Sequence, residues 1–175
     1  SPDVLQRVLT AQELLTLEQA RTQRIEQRIP VPYITSQAWF CGLPFYVDRR
    51  VLIPRSPLGE LIEDGFYPWL QKEPVRILDL CCGSACIGIA CALAFPEAVV
   101  DVADISVDAL AVAAINIAQH RVQQRVQAVV SDLFLGLQGQ RYDLIVCNPP
   151  YVDADDMNNL PDEYRHEPEL ALASG

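Results

Sequence analysis

The segment Val146-Cys147-Asn148-Pro149-Pro150-Tyr151-Val152 sets an amide, rigid backbone carbonyls and a phenol at the end of an apolar run. Two consecutive prolines donate no backbone hydrogen bonds, so the strand expected over Asp143–Cys147 must stop there. The side-chain oxygen of Asn148 and the carbonyl of Pro149 can together accept both N–H bonds of an amide or exocyclic amine. Such a nitrogen is a poor nucleophile because its lone pair is delocalised. Holding it between two acceptors orients the lone pair and stabilises the positive charge that develops on alkylation. Tyr151 can lay its ring over a planar acceptor. Together these residues point to group transfer onto a planar nitrogen.

Upstream, three carboxylates close short apolar runs: Asp79 in RILDL, Asp104 in AVVDVADI and Asp132 in RVQAVVSD. The turn after the first run is DLCCGSACIG, in which Gly83 to Gly88 reads G-x-A-x-x-G, close to a dinucleotide fingerprint. Asp104 can accept hydrogen bonds from ribose hydroxyls, which NAD and S-adenosylmethionine share. Asp132 can accept from an adenine amino group. Asp79 separates the two cofactors, because it attracts a cationic amino-acid tail and repels a pyrophosphate. The series therefore favours S-adenosylmethionine, whose sulfonium methyl is the electrophile that the Asn148 segment requires, and Asn148 itself borders that methyl.

These residues need elements to hold them. From Arg76 onward the pattern alternates: strand RILDL, apolar helix ACIGIACALAF ended by Pro96, strand AVVDVADI, helix SVDALAVAAINIAQH with Ser106 as N-cap, strand RVQAVVSD, strand YDLIVCN. Such alternation predicts an α/β fold with a mostly parallel sheet, where ligands bind beyond the carboxyl ends of the strands. The sheet is expected to be truncated after the fourth strand, and the chain to be a fragment. Residues 1–50 read as an appendage to a main domain over 51–175. Within the appendage, helix is expected through residue 30 with Thr16 and Gln19 as a capping box, then extended chain over Ile29–Thr35, then an aromatic-rich hairpin over Ala38–Val47.

Composition limits the function classes. The 175 residues carry 13 basic and 23 acidic side chains, a net charge of −10 with one lysine, Lys72. That is a poor surface for gripping a phosphate backbone, so no direct nucleic-acid binding is expected, and a basic protein partner suits it better. Seven acidic residues between Asp153 and Glu169 adjoin the proposed acceptor pocket and are expected to help receive a basic substrate loop. No apolar run is long enough to span a bilayer and no signal peptide is visible, which makes a cytoplasmic protein the expectation. The six cysteines form no CxxC pairs and the two histidines are far apart. They read as reduced thiols and structural imidazoles, with no metal site.

NPPY after the fourth strand, with the glycine-containing turn after the first, resembles the amino-methyltransferases that modify planar nitrogens. RIPVPYIT, FCGLPFYV and VLIPRSPLGELI resemble the HemK-like protein-glutamine branch, and the resemblance covers nearly the whole chain. Pro54-Arg55-Ser56-Pro57-Leu58-Gly59-Glu60, NPPYVDADDM and EYRHEPELAL are similar to the ribosomal-protein (PrmB-like) members more than to the release-factor members. The resemblance implies a Rossmann-like class I S-adenosylmethionine-dependent methyltransferase acting on a glutamine of the third large-subunit ribosomal protein. It further implies that Asp79 and Gly83 shape the methionine pocket, Asp104 holds ribose, and Asp132 with Leu133 faces adenine. Arg55 and Ser56 would border the cofactor, and Asn148, Pro149 and Tyr151 would hold the glutamine amide. Against the family's D-x-G-x-G-S-G turn, Cys81 and Ala85 stand where glycines are usual, and their Cβ atoms are expected to crowd the cofactor or resist positive φ. Release-factor methylation, or a catalytically weak cofactor-binding module, are the alternative readings.

Overall fold

A computed structural model describes residues 7–153 and 160–172. The first helix, α1 (Ala11–Ile25), starts at a reciprocal capping box: Thr10 accepts from the Glu13 backbone N–H and the Glu13 side chain accepts from the Thr10 N–H. Thr16, expected to cap, instead lies inside α1 and donates to the Gln12 carbonyl. The expected extended chain over Ile29–Thr35 is also corrected. Val31–Thr35 is a short helix, α2, with Pro30 at its N-cap and Pro32 in its first turn. A proline there loses no intrahelical hydrogen bond and has its φ already set for the helix.

The hairpin forms as expected, from β1 (Gln37–Phe40) and β2 (Leu43–Tyr46), with Cys41 and Gly42 both at positive φ in the turn. A short helix, α3 (Leu58–Glu63), leads to the main sheet. Its strands are β3 (Arg76–Leu80), β4 (Val99–Asp104), β5 (Val126–Val130) and β6 (Leu144–Cys147). Helix α4 (Cys86–Ala94) joins β3 to β4 and α5 (Val107–Gln119) joins β4 to β5. Beyond β6 come a 3₁₀ turn over Asp162–His166 and a short helix, α6 (Glu169–Leu172).

The four strands are parallel in the order β5-β4-β3-β6. Chain order reverses beside β3, and the carboxyl ends at such a reversal frame a crevice. The core supports that edge. Ile77, Ile89, Val100 and Val102 are fully buried between the sheet and α4, and Cys86 through Ala92 of α4 are all buried. A helix apolar on every side must sit inside, which fixes α4 against the sheet. Arg125 donates to the carbonyls of Ala92, Phe95 and Ala98, satisfying the acceptors left over at the C-terminal end of α4.

Asn116 ties the hairpin to the sheet. Fully buried on α5, it accepts from the Tyr46 N–H at 2.7 Å and donates to the carbonyls of Tyr46 at 3.0 Å and Ser84 at 2.9 Å. His120, near the same helix end, bonds the Pro44 carbonyl and packs on Phe45. No helix among the described residues is long and apolar enough to cross a membrane.

Candidate active site

The turn leaving β3 is folded by backbone bonds and one carboxylate. Cys82 N–H donates to the Ala103 carbonyl, Ala85 N–H to the Cys82 carbonyl, and Gly83 N–H to Asp104 Oδ2 at 2.9 Å. Cys81, Gly83 and Ala85 all take left-handed φ, at 58°, 52° and 62°. The two non-glycine residues therefore adopt the conformation that their Cβ atoms were expected to resist. Ala85 is wholly buried against the core, while Cys81 contributes to the cavity wall. Of the two, only Cys81 can crowd a ligand. A Cβ on Gly83 would meet nothing within 4 Å.

Asp79 lies beneath this turn and not on the cavity wall. It is fully buried, with Oδ2 accepting from the Gly88 N–H at 2.8 Å and Oδ1 left without a hydrogen-bond partner. Burial pushes its carboxyl up to about 7, opposed by the Gly88 bond and reinforced by the nearby Asp104. Asp104 sits at the end of β4 with its other oxygen, Oδ1, accepting from the Ser106 N–H at 2.9 Å. Each oxygen keeps a lone pair for a further donor.

Above these residues opens a cavity of about 360 Å³, within the range of small-molecule sites. Its wall gathers Arg55, Ser56, Gly83, Asp104, Asp132, Leu133 and Asn148, all singled out in the sequence. Pro149 and Tyr151 stand outside the wall. Pro150 lines it instead, and Tyr151, next in the chain, is 70% exposed. Leu133 has φ of 46° and is held there by Ser131, whose hydroxyl donates to the Leu133 carbonyl and accepts from the Gly136 N–H. Ile105, half exposed, lines the same cavity and offers a second apolar surface for a flat ring.

The sequence reading missed the wall supplied by Pro168, Leu170 and Ala171, and the residue that holds it, Glu167. Arg55 donates Nη1 to Glu167 Oε1 at 2.8 Å and Nη2 to Oε2 at 3.0 Å, and lies over the Tyr164 ring. The Glu167 side chain is only 3% exposed. Arg55 thus borders the cavity while its guanidinium is engaged by a carboxylate. The Val152 N–H donates to the Leu172 carbonyl, joining the segment that follows Asn148 to the same wall. A glutamate directly before a proline in RHEPEL carries no local signal for a partner 112 residues away.

The acidic stretch is partly spent on such pairs. Glu163 faces Arg24 and Arg28, Glu167 faces Arg55, and Asp162 faces Arg165. Asp155 and Asp156 lie outside the described residues. No cluster of three or more His, Cys, Asp or Glu among the described residues is placed to hold a metal ion. His166 bonds the Gln27 carbonyl.

Comparison with known proteins places these observations beside a family, two relatives and a solved structure. Residues 66–163 match the family model described as "methyltransferase small domain". A ribosomal protein uL3 glutamine methyltransferase of Francisella tularensis is 50% identical over 97% of this chain and 54% of its own length. Another, from Bordetella pertussis, is 47% identical over 99% of this chain and 60% of its own length. The chain thus spans little more than half of these curated relatives. Among solved structures, the hMettl16 catalytic domain in complex with a 3′UTR hairpin superposes with a TM-score of 0.56 at 16% identity, over 94% of this chain and 58% of that one. At that identity the likeness shows a shared Rossmann-like fold.

Proposed function

Since the chain belongs to the methyltransferase small domain family, we propose that its cavity takes S-adenosylmethionine and that the protein methylates a glutamine side-chain nitrogen in the ribosomal protein uL3. The observation that carries this reading is the shared wall: Asn148 and Pro150 face the same cavity as Gly83, Asp104 and Asp132. The names of the relatives at 50% and 47% identity support the choice of acceptor.

The residues fit the cofactor. The open space at Gly83 admits close approach of a ligand to the turn, and the unpartnered Oδ1 of Asp79 lies below it, aligned with a cationic amino-acid tail in sign. Asp104 holds the ribose hydroxyls with the lone pairs not used by Gly83 and Ser106. Asp132 accepts from the adenine amino group, between the apolar surfaces of Leu133 and Ile105. When bound, the cofactor supplies an electrophilic methyl group on a sulfonium.

The acceptor side follows from the Asn148 segment. Asn148 Oδ1 and the Pro149 carbonyl each accept one N–H of the glutamine amide, which aims the nitrogen lone pair into the cavity and stabilises its developing positive charge. No base is needed before transfer, because the proton leaves the nitrogen after its positive charge has formed. Tyr151, exposed directly after Pro150, closes over the amide plane once substrate arrives. Residues 1–50 serve as the substrate-recognition appendage and 51–175 as the methyltransferase unit, which works in the cytoplasm on a basic ribosomal protein.

The test is transfer of labelled methyl from S-adenosylmethionine to unmethylated uL3, with the modified residue read by mass spectrometry. Asn148→Ala should lower kcat by about 10² or more while changing cofactor affinity little. Methylation of a release factor in place of uL3 would move the protein to the release-factor branch. Cofactor binding without any transfer would leave a binding module.

A further inference from the structure

Two cysteines stand side by side at the carboxyl edge of the sheet, Cys81 on the cavity wall and Cys147 at the end of the neighbouring strand, and the proposed transfer uses neither. Cys147 ends β6, directly before Asn148, and its register partner across the sheet is Leu80. Cys81 follows Leu80 at the start of the turn. With strands about 4.8 Å apart and a rise of about 3.3 Å per residue, the two Cα atoms are separated by roughly 6 Å. Disulfides bridge Cα atoms about 4.4–6.8 Å apart. The two thiols lie near enough for each to shift the other's protonation, Cys81 downward and Cys147 upward.

We propose that Cys81 and Cys147 are an oxidation site, an adjacent thiol pair that a peroxide entering the cavity closes to a disulfide, tying the turn to the strand that carries Asn148. An oxidant needs to reach only Cys81, which lines the cavity. The Cys81 thiolate attacks hydrogen peroxide, forming an S–O bond as the O–O bond breaks, and the departing hydroxide is protonated to water. Cys147 then attacks the sulfenic sulfur. The S–S bond forms, the S–O bond breaks, and the second hydroxide leaves as water with the Cys147 proton. Two thiols lose two electrons and one peroxide becomes two waters.

The remaining cysteines are poorly suited to compete. Burial pushes the thiols of Cys82, Cys86 and Cys91 upward, Cys86 to about 12, and burial raises Cys41 as well. Cys81 alone is pulled below the ordinary thiol value, by the neighbouring Cys147 thiol and against the effects of burial and Asp104. The same proximity raises the Cys147 thiol, which favours Cys81 as the attacking sulfur.

A disulfide draws the sulfurs to about 2.05 Å and pulls Cys81 toward β6, reshaping the wall beneath the bound cofactor. This consequence rests on the cofactor reading, whereas the bond itself does not. The experiment treats the chain with equimolar hydrogen peroxide, alkylates the remaining thiols and digests with trypsin. The expected product joins the peptides Ile77–Arg121 and Tyr142–Arg165, lighter by two hydrogens than their sum, with fragmentation locating the bond at Cys81 and Cys147. Dithiothreitol should undo it, Cys147→Ser should abolish it and Cys82→Ala should keep it. A bond through another cysteine, or Cys81 oxidised without a partner, overturns the proposal. In parallel, thermal shift with S-adenosylhomocysteine should show at least about tenfold weaker binding to the oxidised chain than to the reduced one. Equal binding in both states overturns the consequence. If the reduced chain shows no shift at all, the cofactor reading fails and the linked peptides still decide the site.

Discussion

Asp79 shows how one buried carboxyl can carry a pH signature. Its folded-state value is pushed up to about 7, mainly by burial. The unfolded chain releases the same proton near the ordinary carboxylate value of about 4. Between those values the folded state holds more protons, so this group's stabilisation is complete below about pH 4 and is lost as pH rises toward 7. Urea denaturation of the wild type and Asp79→Asn across that window should give a difference curve that falls with pH and levels above 7. A flat difference would show Asp79 ionised in the folded state. The residue's position at a strand end was legible in RILDL. Its place beneath the turn was not, because a carboxylate that braces a helix and one that faces a ligand look alike in one sequence.

At the scale of elements, α4 can approach β3 and β4 closely because Gly88 has no side chain. A Cβ there would stand 2.5 Å from Val102 Cγ1 and 3.0 Å from Asp79 Oδ2. Gly88→Ala should therefore destabilise by about 1–3 kcal/mol, read from chemical denaturation, even though alanine is the better helix former. An unchanged midpoint would mean that α4 can shift at no cost. Asn116 makes a second element-level prediction. Asn116→Ala strands the Tyr46 N–H and two carbonyls, and should cost about 2–4 kcal/mol while loosening the hairpin in hydrogen exchange. The strands and both long helices of the sheet were legible from their apolar runs. Asn116 was not, since a polar residue in an alanine-rich helix announces no partner 70 residues away. The short helix at Val31–Thr35 was misread because prolines suggest extended chain wherever their place in a first turn is unknown.

Across the whole molecule, the Arg55–Glu167 pair joins the segment before the four-stranded sheet to the segment that follows the Asn148 loop. Glu167 is buried and Arg55 partly exposed, so removing the arginine leaves a desolvated carboxylate. Arg55→Met should cost about 3 kcal/mol, and Glu167→Gln less, because its amide tolerates burial uncharged. Equal losses in denaturant midpoint would contradict that asymmetry. The wall of the cavity at the strand ends was legible because strand ends converge by topology. The wall around Glu167 was not, because pairing across the full length of a chain leaves no periodicity to read.

The most direct test of the central claim is calorimetric titration of the chain with S-adenosylmethionine, beside an Asp104→Ala variant shown to be folded. Asp104 lines the cavity and also braces the turn through Gly83. The expected result is one-to-one binding by the wild type and at least about a hundredfold loss in the variant, reflecting two ribose hydrogen bonds to a charged group. No binding to the folded wild type, or binding that Asp104→Ala leaves unchanged, would contradict the assignment of this cavity.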